Sequence, residues 1–135
     1  MSWEPKQLPD VTPESREYWA AAADGTLKIK ECEACGSRFH YPRTLCPDCL
    51  GDTRWIETDG TGEIYAYSSS MRTQSWPEEE LPHVIVYVEL DEGPKMISVI
   101  DVNDPELVDI GTRVEVEFRA TQQDDVAIPV FVPVE

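Results

Sequence analysis

Alternation of apolar and polar positions is the clearest pattern in the chain. Residues 113–118 (RVEVEF) place Val114, Val116 and Phe118 on one face and Arg113, Glu115 and Glu117 on the other, as a strand with one buried side requires. Comparable runs rich in β-branched and aromatic residues occupy 62–70 (GEIYAYSSS), 84–90 (VIVYVEL), 95–102 (KMISVIDV) and 126–134 (VAIPVFVPV). Asp91-Glu92-Gly93-Pro94 predicts a hairpin turn, and the prolines of the last run mark an edge strand. Five short strands in roughly 75 residues must close on themselves to bury a core. A small Greek-key barrel of the OB type is therefore expected, with an SH3-like barrel as the alternative.

The first third reads differently. Residues 1–11 carry two prolines and no periodicity, so they predict an extended arm. Thr12-Pro13-Glu14 is a helix-start signal, an N-cap hydroxyl followed by proline and a first-turn carboxylate. The helix is expected to run through SREYWAAAA and stop at Asp24-Gly25, with Ser15, Tyr18, Ala21 and Ala22 on one face and Trp19 elsewhere. Such a short helix must pack on something. Residues 26–31 (TLKIKE) predict a strand leading into the cysteines. The loop 71–83, with Glu78 to Glu80 as a solvated tip, and Asp104 to Leu107, at most one helical turn, interrupt the β pattern.

Composition narrows the class. The 135 residues are 41% hydrophobic and carry a formal charge of −16. Residues 1–54 hold seven bases and nine acids, whereas 55–135 hold four bases and eighteen acids. A surface of that sign repels phosphate backbones, which disfavours a generic nucleic-acid binder. The acidity also suits a high-salt cytoplasm. No apolar run approaches the roughly 18 residues of a membrane span, and residues 1–12 show no signal-peptide core. A cytoplasmic protein without a membrane role is expected.

Cys32-Glu-Ala-Cys35-Gly36 and Cys46-Pro-Asp-Cys49 carry the strongest chemical signal. Two residues between cysteines put both sulfurs on one side of a tight turn, and ten residues between the pairs suffice for a hairpin to bring them together. One structural Zn²⁺ held by four thiolates is predicted. A closed all-cysteine site leaves no position for substrate. An iron centre uses similar ligands; disulfides do not suit a chain without a secretion signal. His40 in the intervening loop is expected at the surface. His83, Ser68-Ser69-Ser70 and the acidic run assemble no nucleophile, base and oxyanion hole. On that loop, Phe39, Tyr41 and Arg43 offer stacking and pairing groups for an anionic ligand, although the aromatics also suit the ribbon's own apolar side.

The order of these features, Tyr18-Trp19, Gly25-Thr26-Leu27, C-x-x-C-G, F-x-Y-P-R-x-x-C-P-x-C, then W-x-x-x-x-G-x-G-x-I-Y-x-Y, resembles the DUF35 family of acyl-CoA-associated OB-fold proteins over residues 12–134. The resemblance implies an arm and helix over 1–25, a rubredoxin-like zinc ribbon over 26–54 and an OB barrel over 55–135. It carries the metal to Cys32, Cys35, Cys46 and Cys49. It implies a non-catalytic accessory subunit of a thiolase-superfamily enzyme (thiolase, hydroxymethylglutaryl-CoA synthase or aldolase) acting on acyl-CoA esters, with the catalytic residues on the partner. Two catalytic and two accessory chains form the simplest symmetric assembly. If CoA passes near, Arg38, Arg43 and Arg72 are the expected phosphate contacts, unless Arg43 pairs internally with Asp48. Trp19, Tyr18, Phe39 and Tyr41 are the expected partner contacts. The alternatives are a single-stranded nucleic-acid binder built from ribbon and OB modules, and a rubredoxin-like electron carrier.

Overall fold

A computed structural model describes residues 8–70, 83–102, 106, 108–121, 123 and 126–134. Helix α1 (Arg16–Ala23) begins later than the Thr12-Pro13 signal indicated. The reason is local. The Ser15 amide donates to the Thr12 carbonyl (3.1 Å) and Oγ1 (3.2 Å), while the Thr12 amide donates to Ser15 Oγ (3.0 Å). These reciprocal bonds close a turn of their own ahead of the helix. The stop falls where expected: Gly25 takes a positive φ of 87°, and the Gly25 and Thr26 amides return to the Ala22 and Ala21 carbonyls. Tyr18, Ala21 and Ala22 form the buried face.

Strands β1 (Lys28–Cys32), β2 (Arg38–Phe39) and β3 (Thr53–Glu57) make an antiparallel sheet ordered β2-β1-β3. Because β3 pairs with β1 along its whole length, Ile56 opposite Ile29 and Trp55 opposite Lys30, this sheet runs on to Glu57. Strands β4 (Thr61–Ser70), β5 (His83–Leu90), β6 (Lys95–Val99), β7 (Arg113–Ala120) and β8 (Ala127–Pro133) form the second sheet, ordered β6-β5-β4-β7-β8. They coincide with the five alternating runs.

The second sheet nearly closes into a barrel. Ile100 and Phe131 make a parallel bridge, the Asp101 amide donates to the Phe131 carbonyl (2.9 Å), and Ser98 Oγ donates to the Pro129 carbonyl (2.9 Å). Strand β8 thus sits at the sheet's end, as its prolines predict. Ile64, Val86, Val88, Leu90, Met96, Val114 and Phe131 fill the barrel, and Tyr18, Leu27 and Ile29 belong to the same apolar cluster. Helix, ribbon base and barrel therefore share one core. Two glycines make the entry to β4 possible. Gly60 has a φ of 73°, and a Cβ on Gly62 would lie 2.4 Å from the Glu89 carbonyl oxygen.

Candidate metal centre and neighbouring surfaces

All four cysteines converge, with their sulfurs within 4.8 Å of one another. Two equivalent knuckles deliver them. In the first, the Gly36 amide returns to the Cys32 carbonyl (3.1 Å); in the second, the Leu50 amide returns to the Cys46 carbonyl (2.9 Å). Both turn residues have positive φ, 76° at Gly36 and 63° at Leu50. Leu50 holds a conformation that costs a residue with a Cβ about 1–2 kcal/mol, so the knuckle geometry overrides local preference there. Gly51 also presses close, since a Cβ on it would lie 3.2 Å from both the Cys32 and Cys49 sulfurs.

Backbone amides converge on the sulfurs. The Ala34 and Cys35 amides approach Cys32 Sγ at 3.3 and 3.4 Å, and the Asp48 amide approaches Cys46 Sγ at 3.3 Å. The Cys35 amide, reinforced by that of Ala34, pulls the Cys32 thiol down to about 6. The Ser37 amide acts in the same sense on Cys35, but hydrogen bonding with the Cys49 and Cys32 sulfurs outweighs it and holds that thiol up at about 12. Four thiols so placed cannot all ionise without a cation among them. The sulfurs of Cys32 and Cys49 stand 3.5 Å apart and those of Cys35 and Cys46 3.7 Å. Tetrahedral Zn²⁺ with bonds of about 2.3 Å needs sulfurs about 3.8 Å apart, whereas a disulfide needs about 2 Å. The donor set fits zinc.

Arg38 and Arg43, two of the expected phosphate contacts, have different partners. Arg38 Nε donates to Glu31 (2.8 Å) and its Nη1 to the Glu92 carbonyl (3.2 Å). Arg54 binds the other oxygen of the same Glu31 carboxylate, and bonds from Arg38 first and Arg54 second hold its pKa below the ordinary value. Arg43 is exposed, and no ion pair engages it among the described residues. It does not pair with Asp48, which accepts the Ser37 hydroxyl at 2.7 Å instead. Arg43 lines a cavity of about 310 Å³ together with Lys30 and Trp55. Arg72 lies outside the described residues, as do Trp3 and Glu78 to Glu80.

Tyr18, Trp19 and Tyr41 line a second cavity of about 310 Å³, where α1, the ribbon loop and strands β6 and β8 meet, whereas Phe39 is not part of its wall. Tyr18 is buried, with its phenol pushed well above the ordinary value by desolvation. Trp19 does not point away. Its ring meets that of Tyr18 edge-on at 4.9 Å and packs against two apolar clusters. Phe39 is half-buried opposite Lys30, and Tyr41 is 55% exposed. His40 corrects the surface expectation. Its Nε2 lies 3.2 Å from the Tyr18 hydroxyl, its Nδ1 is buried without a partner, and burial pushes its pKa down to about 4. Only the F-H-Y sequence around it, apolar on both sides, hinted at this.

The barrel's outer side is not uniformly acidic either. Tyr65, Ile85, Tyr87 and Ile97 are exposed, with the Tyr65 and Tyr87 rings edge-on at 5.9 Å and Ile97 opposite Tyr87. Among the described residues, no helix is long and apolar enough to cross a membrane.

Two family models cover most of the chain, the ChsH2 rubredoxin-like zinc ribbon domain over residues 19–54 and the ChsH2 C-terminal OB-fold domain over residues 55–119. A "DUF35 domain-containing scaffold protein" of Methanothermobacter thermautotrophicus is 32% identical over 100 residues, covering 73% of this chain and 75% of that protein. A "Probable enoyl-CoA hydratase alpha subunit" of Thermomonospora curvata is 31% identical over 134 residues, and the chain spans only 41% of that longer relative. A solved structure described as "Ltp2-ChsH2(DUF35) aldolase" superposes with a TM-score of 0.80 at 29% identity, covering 93% of this chain and 98% of the other. With its paired cysteine knuckles and five-stranded barrel, and its match to the ChsH2 models for zinc ribbon and OB fold, this chain belongs to the DUF35 family.

Proposed function

We propose that this chain is a non-catalytic, zinc-binding accessory subunit of a thiolase-superfamily enzyme acting on acyl-CoA esters. The observation that carries the reading is the likeness, over 93% of the chain, to the ChsH2 chain of an aldolase that also contains Ltp2. The chain's own chemistry supports it. All four thiols are drawn into one cluster, which leaves none of them free to act as a nucleophile once a metal is bound. A scaffold name on a relative points the same way.

In this reading the partner seats on the groove between α1, the ribbon loop and β6. Tyr41 and the outer edge of Trp19 supply anchors, Tyr18 supports Trp19 from beneath, and Phe39 is a further contact on the ribbon side. Aromatic anchors contribute disproportionately at such contacts. The ribbon side faces the CoA passage, where Arg43 meets phosphate, and Arg38 stays with Glu31. Two catalytic and two accessory chains complete the assembly.

Co-expression with a thiolase-like protein from the same genome tests this. Tyr41→Ala and Ile97→Ser should together weaken co-purification at least tenfold, about 1.4 kcal/mol, with zinc content unchanged. Full assembly and activity with both substitutions in place would remove the groove from the interface. Failure of every thiolase-like partner to co-purify would remove the function itself.

A further inference from the structure

The two cysteine knuckles share a backbone course and differ at their tips. Each closes on a residue of positive φ whose amide returns to the carbonyl of the knuckle's first cysteine, at 3.1 Å from Gly36 and 2.9 Å from Leu50. Glycine takes that conformation freely, and leucine does not. With a φ of 63°, Leu50 is the only non-glycine residue of positive φ among the described residues. It is also the most exposed of their large apolar side chains, at 72%, and belongs to neither apolar cluster. Two unfavourable features therefore coincide at one position, a strained backbone and an apolar side chain in water, and glycine would remove both. Strain held under a side chain that fills no core marks a position kept for something other than the stability of the free chain.

The surroundings specify what that side chain suits. Leu45, 47% exposed, bridges Asp52 at the mouth of the same knuckle, and Ala34 of the first knuckle lies against Gly51. Glu33, Asp48 and Asp52 are exposed around this tip, and the Glu33 amide donates to the Asp52 carbonyl (2.9 Å). Nearby cations do not offset them. Arg38 and Arg54 are bound to Glu31, and Lys30 is buried, with its ammonium 4.5 Å from the Trp55 ring centroid. A tip with an apolar centre and an acidic rim repels nucleic acid and anionic lipid, and a second copy of a chain at −16 is repelled in the same way. We propose that Leu50, with Leu45 at the base of its knuckle, is a docking knob that enters an apolar socket with a basic rim on the catalytic partner. Burial of the side chain in the complex then offsets the strain. This rests on the accessory-subunit reading for the existence of that partner.

Thermal melting of the zinc-loaded full chain alone, and its titration with the co-purifying thiolase-like protein, test the knob together. Leu50→Gly and Leu50→Asn both suit left-handed backbone. Loaded with zinc, each should melt no lower than wild type and should bind the partner at least tenfold more weakly. Wild-type affinity should fall as salt rises. Ile110→Ser, which removes another exposed apolar side chain at a barrel turn, should leave affinity unchanged. A lower melting temperature for zinc-loaded Leu50→Gly would mean that Leu50 packs within its own ribbon, and the knob would be rejected. Undiminished binding by both Leu50 variants would reject it too, with the accessory reading intact. Equal weakening by Ile110→Ser would leave Leu50 no special role, and affinity indifferent to salt would reject the basic rim. If no thiolase-like protein bound even the wild type, the accessory reading itself would fall and take the knob with it.

Discussion

Cys32 and His40 show how backbone and burial set side-chain chemistry in this molecule. Amides aimed at Cys32 favour its thiolate, held at about 6, so the cluster is prepared to exchange protons for a metal ion. Purified protein should contain one zinc per chain by elemental analysis. Cys32→Ser or Cys49→Ser should abolish it and unfold the ribbon, seen as lost dispersion for residues 28–54 in amide spectra; a folded ribbon without metal would contradict the structural role. His40 makes a separate acid-sensitive point. Burial lowers its pKa to about 4 from 6.5, so the folded state disfavours protonation. Its contribution to stability is complete above pH 6.5 and is lost as pH falls from there toward 4, up to ~3 kcal/mol. Zinc-saturated wild type should lose melting temperature across that window more steeply than His40→Gln, and parallel curves would show that His40 does not titrate with folding.

At the scale of elements, the strands were legible and the helix start and loop chemistry were not, for physical reasons. Strand alternation is a direct imprint of one buried face, so 113–118 and its four companions located β4 to β8. Cysteine spacing is equally direct, because a tetrahedral ion demands it. Thr12-Pro13-Glu14 misled because the same hydroxyl that caps a helix also closes a turn, and Ser15 offered it a partner. The fate of Lys30 was hidden because alternation in TLKIKE cannot reveal a strand flanked on both sides, by β2 and β3. His40 was hidden because its burial depends on α1, 22 residues away in sequence. The G-x-G motif was visible, but its reason was not. Gly62 pairs with Leu90 of β5, and a methyl group there meets the Glu89 carbonyl oxygen at 2.4 Å and a Val88 methyl at 2.9 Å. Both neighbours are sheet, so neither yields. Gly62→Ala should destabilise by about 2 kcal/mol, read as a lower denaturation midpoint, whereas Gly93→Ala at the open hairpin tip meets only its φ of 117° and should cost less. Equal losses would mean that the sheet at Glu89 and Val88 yields to a methyl group at position 62, and close approach would not explain the glycine.

The whole molecule combines one shared core with two unlike surfaces, a strongly acidic exterior and an apolar track from Tyr41 past Ile97 to Tyr87 and Tyr65. A net charge of −16 keeps copies of the chain apart and disfavours contact with nucleic acid. The uncharged track is where another protein gains most by excluding water. This division of labour bears on catalysis. Thiolysis, condensation or retro-aldol cleavage of an acyl-CoA ester each needs a proton acceptor beside the reacting carbon and, in the first two, a free thiolate. Here the four sulfurs face one another within 4.8 Å. His40, the histidine described in full, is half-buried against Tyr18, and desolvation pushes its pKa down to about 4. Tyr18 is itself held protonated by burial. The second histidine, His83, opens β5 at the register position opposite Ser70, not beside a cysteine of the cluster. The zinc-loaded chain alone should therefore turn over no acyl-CoA ester above the buffer rate in a thiol-release assay, and addition of the catalytic partner should bring activity that Cys32→Ser abolishes through lost assembly. Turnover by the isolated chain that disappears in His83→Ala or His40→Ala would place the reaction on this subunit and end the accessory reading.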